Sequence, residues 1–492
     1  MSPTHAVQEP PEATTKRVWY RSPMYAIVIV GICNFTAPGL WWAMNSIGGG
    51  GQASPVSLKP KPLTGAANPT QFLVNAANAL TCSIMVLTAF LGSTVLNLVG
   101  VNWALFLGGV GFSPYLAGLY TNNKYGTGWL VLFGAATCGI SAGLFWAIEA
   151  AVALAYPEPY RIGLSLGIWM SFRVAGQIVG GAINLGVNAS RGEAGAINPK
   201  VYLVFIALQA AGAFVSFLLP KPHTIQRRDG KKVKLYNGRT AWDEVKGTAR
   251  VFFTKEILLL VPFFFQGVFP DSYVNTYMAS YFTVRVRALG SFVAAWASVL
   301  LGNLVGGFLD VKRIPLKTRA RAAFLWIVVT AGAWWTWVIV LEANFPSKKA
   351  IDWTSPLFGR TFAVYVLISA NFQASFVYTF FVCKAISKTH ENETRIVGLL
   401  RSVQSASFAV AYGTSSVKSF AHLGSASLNF ALWGVALLPT WLVVRRIGVD
   451  LNGPNDEVEA ADVEGVEDAE AQVVQLPKSG AVVASEDEKK KN

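Results

Sequence analysis

Four charged residues lie inside long apolar stretches of this chain: Glu149, Arg173, Asp271 and Arg401. Because a charge in hydrocarbon is costly, such residues usually face a cavity or a charged partner. Arginine offers a rigid fork of donors, so Arg173 is a candidate contact for an anionic solute group. A carboxylate in a low-dielectric site can exchange a proton near neutral pH, so Asp271 is a candidate carrier of a proton or cation. These residue types predict a pathway for a solute or an ion.

Each candidate also has a structural explanation. Glu149 and Arg173 lie in neighbouring stretches and can pair with each other without any substrate. Asp271 follows Pro270 in a stretch that this proline is expected to interrupt, and if the helix ends early there, the carboxylate lies at the outer membrane interface. Uncharged polar residues are further candidates for lining a cavity, although hydrogen bonds between helices explain each of them equally well. These are Asn34, Asn78 and Gln177.

Enzymatic chemistry has little support in the sequence. The four histidines are scattered, and the four cysteines lie inside apolar stretches without paired spacing. We therefore expect no catalytic group, no metal site and no cofactor. The glycine run 48–51 lacks the Lys and Ser or Thr of a phosphate-binding loop. The expected protein is not an enzyme, and any transport has to draw its energy from an ion gradient or a solute gradient.

The elements that position these charges are twelve apolar stretches in two sets of six. With 53% hydrophobic and only 14% charged residues, a chain of 492 residues is too apolar to be a soluble protein. A spanning helix needs about 20 apolar residues, and continuous runs favour helices over a barrel. The sequence predicts an all-α integral membrane protein with spans at 23–45, 71–98, 101–121, 127–155, 161–187, 201–219, 256–281, 289–309, 320–342, 357–383, 396–417 and 424–444.

The loops indicate the orientation of the chain and divide it into five parts. Lys and Arg concentrate in alternate loops, so the positive-inside rule predicts that both termini are cytosolic. The net charge of +14 reflects this topology and an attraction to lipid headgroups, and it gives no support for nucleic-acid binding. The choice between plasma membrane and endomembrane stays open. We predict a polar N-terminus at 1–22, a six-helix half at 23–220, a basic linker at 221–255, a second half at 256–446 and an acidic, disordered tail at 447–492.

A charged cluster follows the eighth apolar stretch and consists of Asp310, Lys312, Arg313 and Arg319. An Asp at a helix end with cations facing it can hold an inner gate closed. A basic loop that only fixes topology explains the Lys and Arg equally well. The equivalent segment after the second stretch, 96–102, carries no charge, which weakens the case for active cycling.

Two further features lie near the predicted helix ends. Trp41, Trp42 and Trp335 belong to groups of tryptophans for which an interfacial belt is the simplest explanation. Stacking against a flat apolar substrate is the alternative. Asn188 begins an Asn-Ala-Ser motif on the predicted outer side and is a candidate for glycosylation.

Several motifs within residues 25–190 resemble one known family. They include Trp42-Ala-Met-Asn45-Ser-Ile-Gly48, Asn75-Ala-Ala-Asn78, Gly143-Leu-Phe-Trp146-Ala-Ile-Glu149 and Gly176-Gln-Ile-Val-Gly180-Gly181. They are similar to fungal-type members of the uncoordinated-93 (Unc-93-like) family, an atypical branch of the major facilitator superfamily. The resemblance implies a bundle of twelve helices whose two six-helix halves rock about a cavity at the membrane midplane.

Two functions are consistent with this resemblance. The first is a secondary transporter of a small organic solute or metabolite by alternating access, with a proton or cation as a possible partner ion. The second is a non-transporting regulator or trafficking partner of another membrane protein, because animal and plant members of the family are known as channel-regulating or receptor-escorting proteins.

Overall fold

The computed structural model describes residues 18–47, 71–158, 162–188, 197–230, 232–233, 235, 241–311, 313–344 and 350–452. Within these ranges the secondary structure is helical, with 17 α-helices and no strand longer than an isolated bridge. The helices are α1 Pro23–Asn34, α2 Leu40–Ser46, α3 Gln71–Phe90, α4 Gly92–Val99, α5 Val101–Val110, α6 Phe112–Tyr125, α7 Trp129–Ala155, α8 Ile162–Asn188, α9 Pro199–Val215, α10 Ala241–Phe252, α11 Lys255–Gln266, α12 Pro270–Tyr281, α13 Val284–Asp310, α14 Leu316–Ala343, α15 Phe358–Ile386, α16 His390–Ser415 and α17 Leu423–Val444.

Nine helical segments of the described chain are long and apolar enough to cross a membrane. Length and apolarity are local properties of sequence, so these segments match the predicted stretches closely. The remaining three predicted stretches, 101–121, 161–187 and 396–417, are also helical. The first is divided at Gly111 into α5 and α6. The other two are α8 and α16, and both carry buried polar and charged residues, among them Arg173 and Arg401. The chain is an integral multi-pass membrane protein.

Two predicted spans are interrupted next to candidate residues, the first beside Asn34 and the second beside Asp271. The first span changes to a π-helical turn at Phe35–Gly39, which contains Pro38, before it continues as α2. The span predicted at 256–281 breaks between α11 and α12, and Pro270 begins the second piece. Proline lacks a backbone donor and clashes with the preceding turn, so it ends or bends a helix at such positions.

The same packing pattern occurs in both sets of helices. In the first set, α1 packs against α8 and α9, α3 packs against α7, and α6 packs against α9. In the second set, α11 packs against α16 and α17, α13 packs against α15, and α14 packs against α17. The two sets meet through two long contacts, α3 with α16 and α8 with α13.

The two ends of the bundle can be distinguished by α10. We call the end that bears α10 the linker end and the opposite end, which bears Ile47 and Thr283, the far end. Both described chain ends lie at the linker end, because Val18 donates its backbone N–H to Gln226 and Arg446 donates to Glu256. The helix α10 packs against α4 and α16, and so touches both sets of helices.

The first residues of the predicted tail pack onto the helix bundle. Ile447 and Leu451 are buried against the second set of helices. Their apolar side chains are too widely spaced to stand out from the polar residues around them. The rest of the tail, 453–492, and the glycine run 48–51 lie outside the described residues.

Candidate functional site

A narrow cavity lies between the two sets of helices and is lined by α2 and α8 on one side and by α12, α13 and α15 on the other. Its volume is about 50 Å³, which is room for a few waters and too little for an organic solute. Its lining combines charged, amide and aromatic side chains, among them Trp42, Arg173, Gln177, Asp271, Tyr365 and Gln373.

Arg173 connects the two sets of helices at this cavity. Its side chain is 6% exposed, and Nη2 donates to Oε1 of Gln373 on α15 at 2.6 Å. The guanidinium carbon lies 5.9 Å from the ring centre of Trp42 and 5.0 Å from that of Phe376. An arginine over aromatic rings is attracted by their negative faces. The Nε atom is buried and has no hydrogen-bond partner among the described residues, so the group retains donor capacity.

Asp271 lies at the start of α12, directly after the helix break, and lines the same cavity. Its Oδ2 atom accepts a hydrogen bond from the Tyr412 hydroxyl at 2.5 Å and from Asn275 Nδ2 at 3.2 Å. These contacts hold the carboxylate between α12 and α16. The alternative placement of Asp271 at the end of a shortened helix does not describe this structure, because α12 continues for ten more residues to Tyr281.

Glu149 and Arg401 form a second buried charged group beside the cavity. Glu149 accepts a hydrogen bond from Trp169 Nε1 at 3.1 Å and lies within electrostatic reach of Arg401 and Arg173. Among the described residues it makes no direct ion pair with Arg173. Arg401 donates to Gln404 at 3.1 Å and stacks on Trp146 at 5.0 Å.

Phe376 brings the two arginines together. Its ring centre lies 5.0 Å from the guanidinium carbon of Arg173 and 5.1 Å from that of Arg401. The alternative of a direct pair between Glu149 and Arg173 is therefore replaced by a shared arrangement in which one carboxylate serves two guanidinium groups. Such an arrangement is coupled through space, because charges in a low-dielectric interior interact over several ångströms.

The three uncharged candidates have different surroundings. Gln177 lines the cavity. Asn78 donates to Asn45 at 2.8 Å and accepts from the Tyr115 hydroxyl at 2.7 Å, so it connects α2, α3 and α6 away from the cavity. Asn34 is fully buried at the start of the π-helical turn, and neither atom of its amide has a partner among the described residues.

The predicted gate residues lie at the linker end. Asp310 is the last residue of α13 and is exposed, and it makes no ion pair with a described cation. Arg319 donates to the Leu309 carbonyl and thereby caps the end of α13, whose last carbonyls lack partners within the helix. Arg313 is exposed, and Lys312 lies outside the described residues. Asn188, the glycosylation candidate, ends α8, and its side chain is not among those described.

The family described as ion channel regulatory protein UNC-93 matches residues 76–425 of this chain. The chain belongs to the UNC-93 family. The resemblance noted in residues 25–190 is confirmed and extends into the second set of helices. The Notoamide biosynthesis cluster protein O' of Aspergillus versicolor is 37% identical over 442 residues, which cover 89% of this chain and 92% of that protein. UNC93-like protein 1 of Arabidopsis thaliana is 26% identical over 411 residues, which cover 81% and 85%.

Two solved structures share the fold of this UNC-93 family member. The xylose transporter XylE from E. coli, in a partially occluded inward open conformation, matches with a TM-score of 0.59 at 13% identity and covers 85% of this chain and 97% of that one. A POT family transporter in complex with 5-aminolevulinic acid matches with a TM-score of 0.59 at 12% identity and covers 86% and 96%. At such low identity the likeness concerns the fold alone, which is that of major facilitator transporters.

The far end of this UNC-93 family member is closed by contacts between the two sets of helices. The hydroxyl oxygens of Ser46 and Ser291 are 2.5 Å apart. Arg287 donates from Nε to the Ile47 carbonyl at 2.6 Å and so caps the end of α2. Asn75 donates to Thr276 at 3.0 Å. These contacts join the two sets of helices toward the far end, and Ser46 and Ser291 also line the cavity.

Sequence reasoning placed some of these residues wrongly. Arg287 falls between the predicted spans 256–281 and 289–309, but it lies inside α13 and is 1% exposed. Trp41, Trp42 and Trp335 do not form an interfacial belt, because they are 6%, 4% and 2% exposed. Phe376 and Tyr412 were not singled out at all, since aromatic residues are frequent in every stretch. Asp271 was the sequence signal for this side of the cavity, and Gln373 is a further polar residue inside the apolar stretch 357–383. Among the described residues no three His, Cys, Asp or Glu side chains lie close enough to hold a metal ion.

Proposed function

We propose that this UNC-93 family member is a secondary transporter that moves a small organic solute by alternating access through the cavity between its two sets of helices. The observation that carries the proposal is Arg173, a buried cation that lines the cavity and reaches across it to Gln373. A buried charge with spare donors is expensive to maintain in a membrane protein unless a ligand uses it. The proposal assigns no catalytic role to any residue.

The proposed architecture is the full twelve-helix one. The halves are 23–220 and 256–446, joined by the linker 221–255, and α5 with α6, α8 and α16 provide three spans in addition to the nine long apolar segments. The repeated packing pattern supports two equivalent halves. The linker end is proposed to be cytosolic, which is supported by the basic residues of the linker.

The transport step in this proposal is a change in the contacts between the halves. The cavity is too small for an organic solute in the described conformation, so the halves have to part to admit one. The Ser46–Ser291 and Arg287–Ile47 contacts break when the far end opens. Arg173 then meets the anionic group of the solute, and Asp271 meets a proton or a cation.

The solute is proposed to be a metabolite. The relative from Aspergillus versicolor is named for a biosynthesis cluster, which is compatible with movement of a metabolic product or precursor. The cavity lining, with Trp42, Tyr365 and Phe372 beside its polar groups, suits an organic body better than a bare ion.

A second function is favoured by a different observation. The family is described as regulating an ion channel, and the segment 96–102, which corresponds to the charged cluster after the eighth stretch, carries no charge. In this alternative the protein retains the transporter fold but acts as a regulatory or trafficking partner of another membrane protein.

The test compares metabolite levels inside and outside cells that carry the wild-type chain, no chain, Arg173→Ala or Asp271→Asn. We expect at least one solute whose distribution follows the wild type and returns to the level of cells without the chain in both variants. Arg445→Ala, which removes an exposed arginine at the end of α17, is the matched control and keeps wild-type distribution. Surface or organelle immunoblots confirm equal amounts in the membrane. Identical profiles for all cells would remove the transport proposal and favour the regulatory partner.

A further inference from the structure

The cavity contains two opposite charges that do not neutralise each other. Arg173 from α8 and Asp271 from α12 both line it, yet no direct ion pair joins them among the described residues. Each is within electrostatic reach of the other. Opposite charges that share a low-dielectric cavity normally collapse into a direct pair, because this recovers part of the cost of removing them from water. Here each is instead held by neutral partners.

These neutral partners leave part of each charged group unused. On Arg173 the one hydrogen bond to a described residue is donated by Nη2 to Gln373, and Nε has no partner. On Asp271 both donors, Tyr412 and Asn275, reach Oδ2, and no described residue donates to Oδ1. A guanidinium can donate five hydrogen bonds and a carboxylate can accept about four. The cavity therefore has free donors on one side and a free acceptor on the other.

We propose that the solute is an apolar zwitterion, a molecule with an ammonium group and a carboxylate on one hydrophobic body, as in an aromatic amino acid. This inference rests on the proposed transport function and specifies its substrate class. The carboxylate of the solute accepts hydrogen bonds from Arg173, and its ammonium group donates to Asp271. The cation that meets Asp271 is then part of the solute itself.

Charge balance favours a zwitterion over a singly charged solute. An anion would satisfy Arg173 and leave Asp271 facing a filled, dehydrated cavity, and an amine would do the reverse. Either arrangement leaves one buried charge unpaired, which is strongly unfavourable. A zwitterion adds no net charge and satisfies both groups. The aromatic lining by Trp42, Tyr365 and Phe372 provides the apolar surface for its body.

Three ligands with one ring system test the proposal on the purified full-length protein in lipid nanodiscs. They are L-phenylalanine, phenethylamine, which lacks the carboxylate, and 3-phenylpropionate, which lacks the ammonium group. Binding is measured from the rise in unfolding temperature across a concentration series. We expect L-phenylalanine to bind at least about tenfold more tightly than either analogue, because each charged hydrogen bond contributes that much.

Two variants assign each end of the ligand. In Arg173→Gln the carboxylate of L-phenylalanine loses its partner and would be buried unpaired, so phenethylamine should bind at least as tightly as L-phenylalanine. In Asp271→Asn the ammonium group is left unpaired in the same way, so 3-phenylpropionate should bind at least as tightly as L-phenylalanine. Arg445→Ala keeps the wild-type ranking, and size-exclusion chromatography shows that each variant is folded.

The proposal is overturned if L-phenylalanine produces no shift, or if either singly charged analogue binds as tightly. It is also overturned if the solute found in the cell experiment lacks an ammonium group or a carboxylate, although transport itself then stands. Absence of any transported solute would instead remove the proposed function. The two failures are therefore distinguishable.

Discussion

Arg173 and Arg401 are identical side chains that share the ring of Phe376, yet their surroundings give them different roles. Arg173 lines the cavity, whereas Arg401 does not and donates to Gln404 on its own helix. Glu149 lies within electrostatic reach of both. Glu149 therefore attracts both guanidinium groups without a direct ion pair to either among the described residues, and what separates the two arginines is that Arg173 reaches the cavity and Arg401 does not.

A surface pair at the far end allows one residue-scale prediction about pH. Asp352, in the loop before α15, accepts hydrogen bonds from Arg285 and Thr283. The hydrogen bond from Arg285 holds the pKa of Asp352 well below its usual range. Because the folded pKa lies below the unfolded value of about 3.9, the pair stabilises the fold above that pH and loses its effect as the pH falls.

We therefore expect Asp352→Asn to lower the free energy of unfolding by on the order of 1 kcal/mol at pH 7. The difference from wild type should narrow as the pH is lowered from about 5 to about 3, since the unfolded carboxyl is protonated over that interval. This stability difference is followed by measuring the unfolding temperatures of both proteins in nanodiscs at a series of pH values. Asp310→Asn, at an exposed carboxylate without a described partner, is the control and should show no such trend. A constant gap between wild type and Asp352→Asn would contradict the ion-pair explanation.

The sequence indicated the charged residues of the site but not their partners. Glu149, Arg173, Asp271 and Arg401 stand out because each interrupts an apolar stretch, which is a local property. The contact between Arg173 and Gln373 joins positions 200 residues apart. The spacing of residues along the chain does not reveal such a contact. The sequence instead suggested a pair between the neighbouring Glu149 and Arg173, and these two side chains form no direct ion pair among the described residues.

At the scale of elements, the sequence predicted the positions of the helices better than the places where they are broken. The apolar runs predicted where helices lie, because burial in lipid requires only length and hydrophobicity. The interruption of the span 256–281 at Pro270 agrees with the break between α11 and α12, although proline alone does not decide such a break, because Pro262 and Pro439 lie inside continuous helices. The break matters because Asp271 lies in the first turn of α12, where the free N–H groups of the helix favour a negative charge.

Close approach between α8 and the π-helical turn provides an element-scale prediction. A Cβ added at Gly176 would lie 2.7 Å from the Phe35 carbonyl oxygen and 2.8 Å from Gly39 Cα. Both are backbone atoms that cannot move without displacing the turn, so Gly176→Ala should cost about 1–3 kcal/mol. Gly186→Ala, in the same helix, meets nothing within 4 Å and should be neutral or stabilising. The unfolding temperatures of the two variants are compared. Equal temperatures would show that the contact of Gly176 with Phe35 and Gly39 leaves room for a methyl group.

Across the whole molecule, the two sets of helices meet mainly along α3 with α16 and α8 with α13. In the proposed transport cycle these long contacts keep the halves together, and the short polar contacts toward the far end are the ones that an opening motion would break. Two sets of six apolar stretches were enough to predict a bundle of this class. The closure of the far end was not predictable, because the serine and arginine residues that form it look like ordinary helix and loop residues.

A reversible crosslink at the far end tests alternating access directly. The hydroxyl oxygens of Ser46 and Ser291 are 2.5 Å apart, so cysteines at both positions place two sulfur atoms within bonding reach across the halves. The four native cysteines are buried, which limits competing oxidation. We expect oxidised Ser46→Cys/Ser291→Cys to lose transport of the solute found in the cell experiment, because the far end cannot open, and to regain it on reduction. Each single cysteine variant should keep transport under the same oxidant. Undiminished transport by the fully crosslinked protein would mean that the solute does not leave or enter through an opening between these two residues.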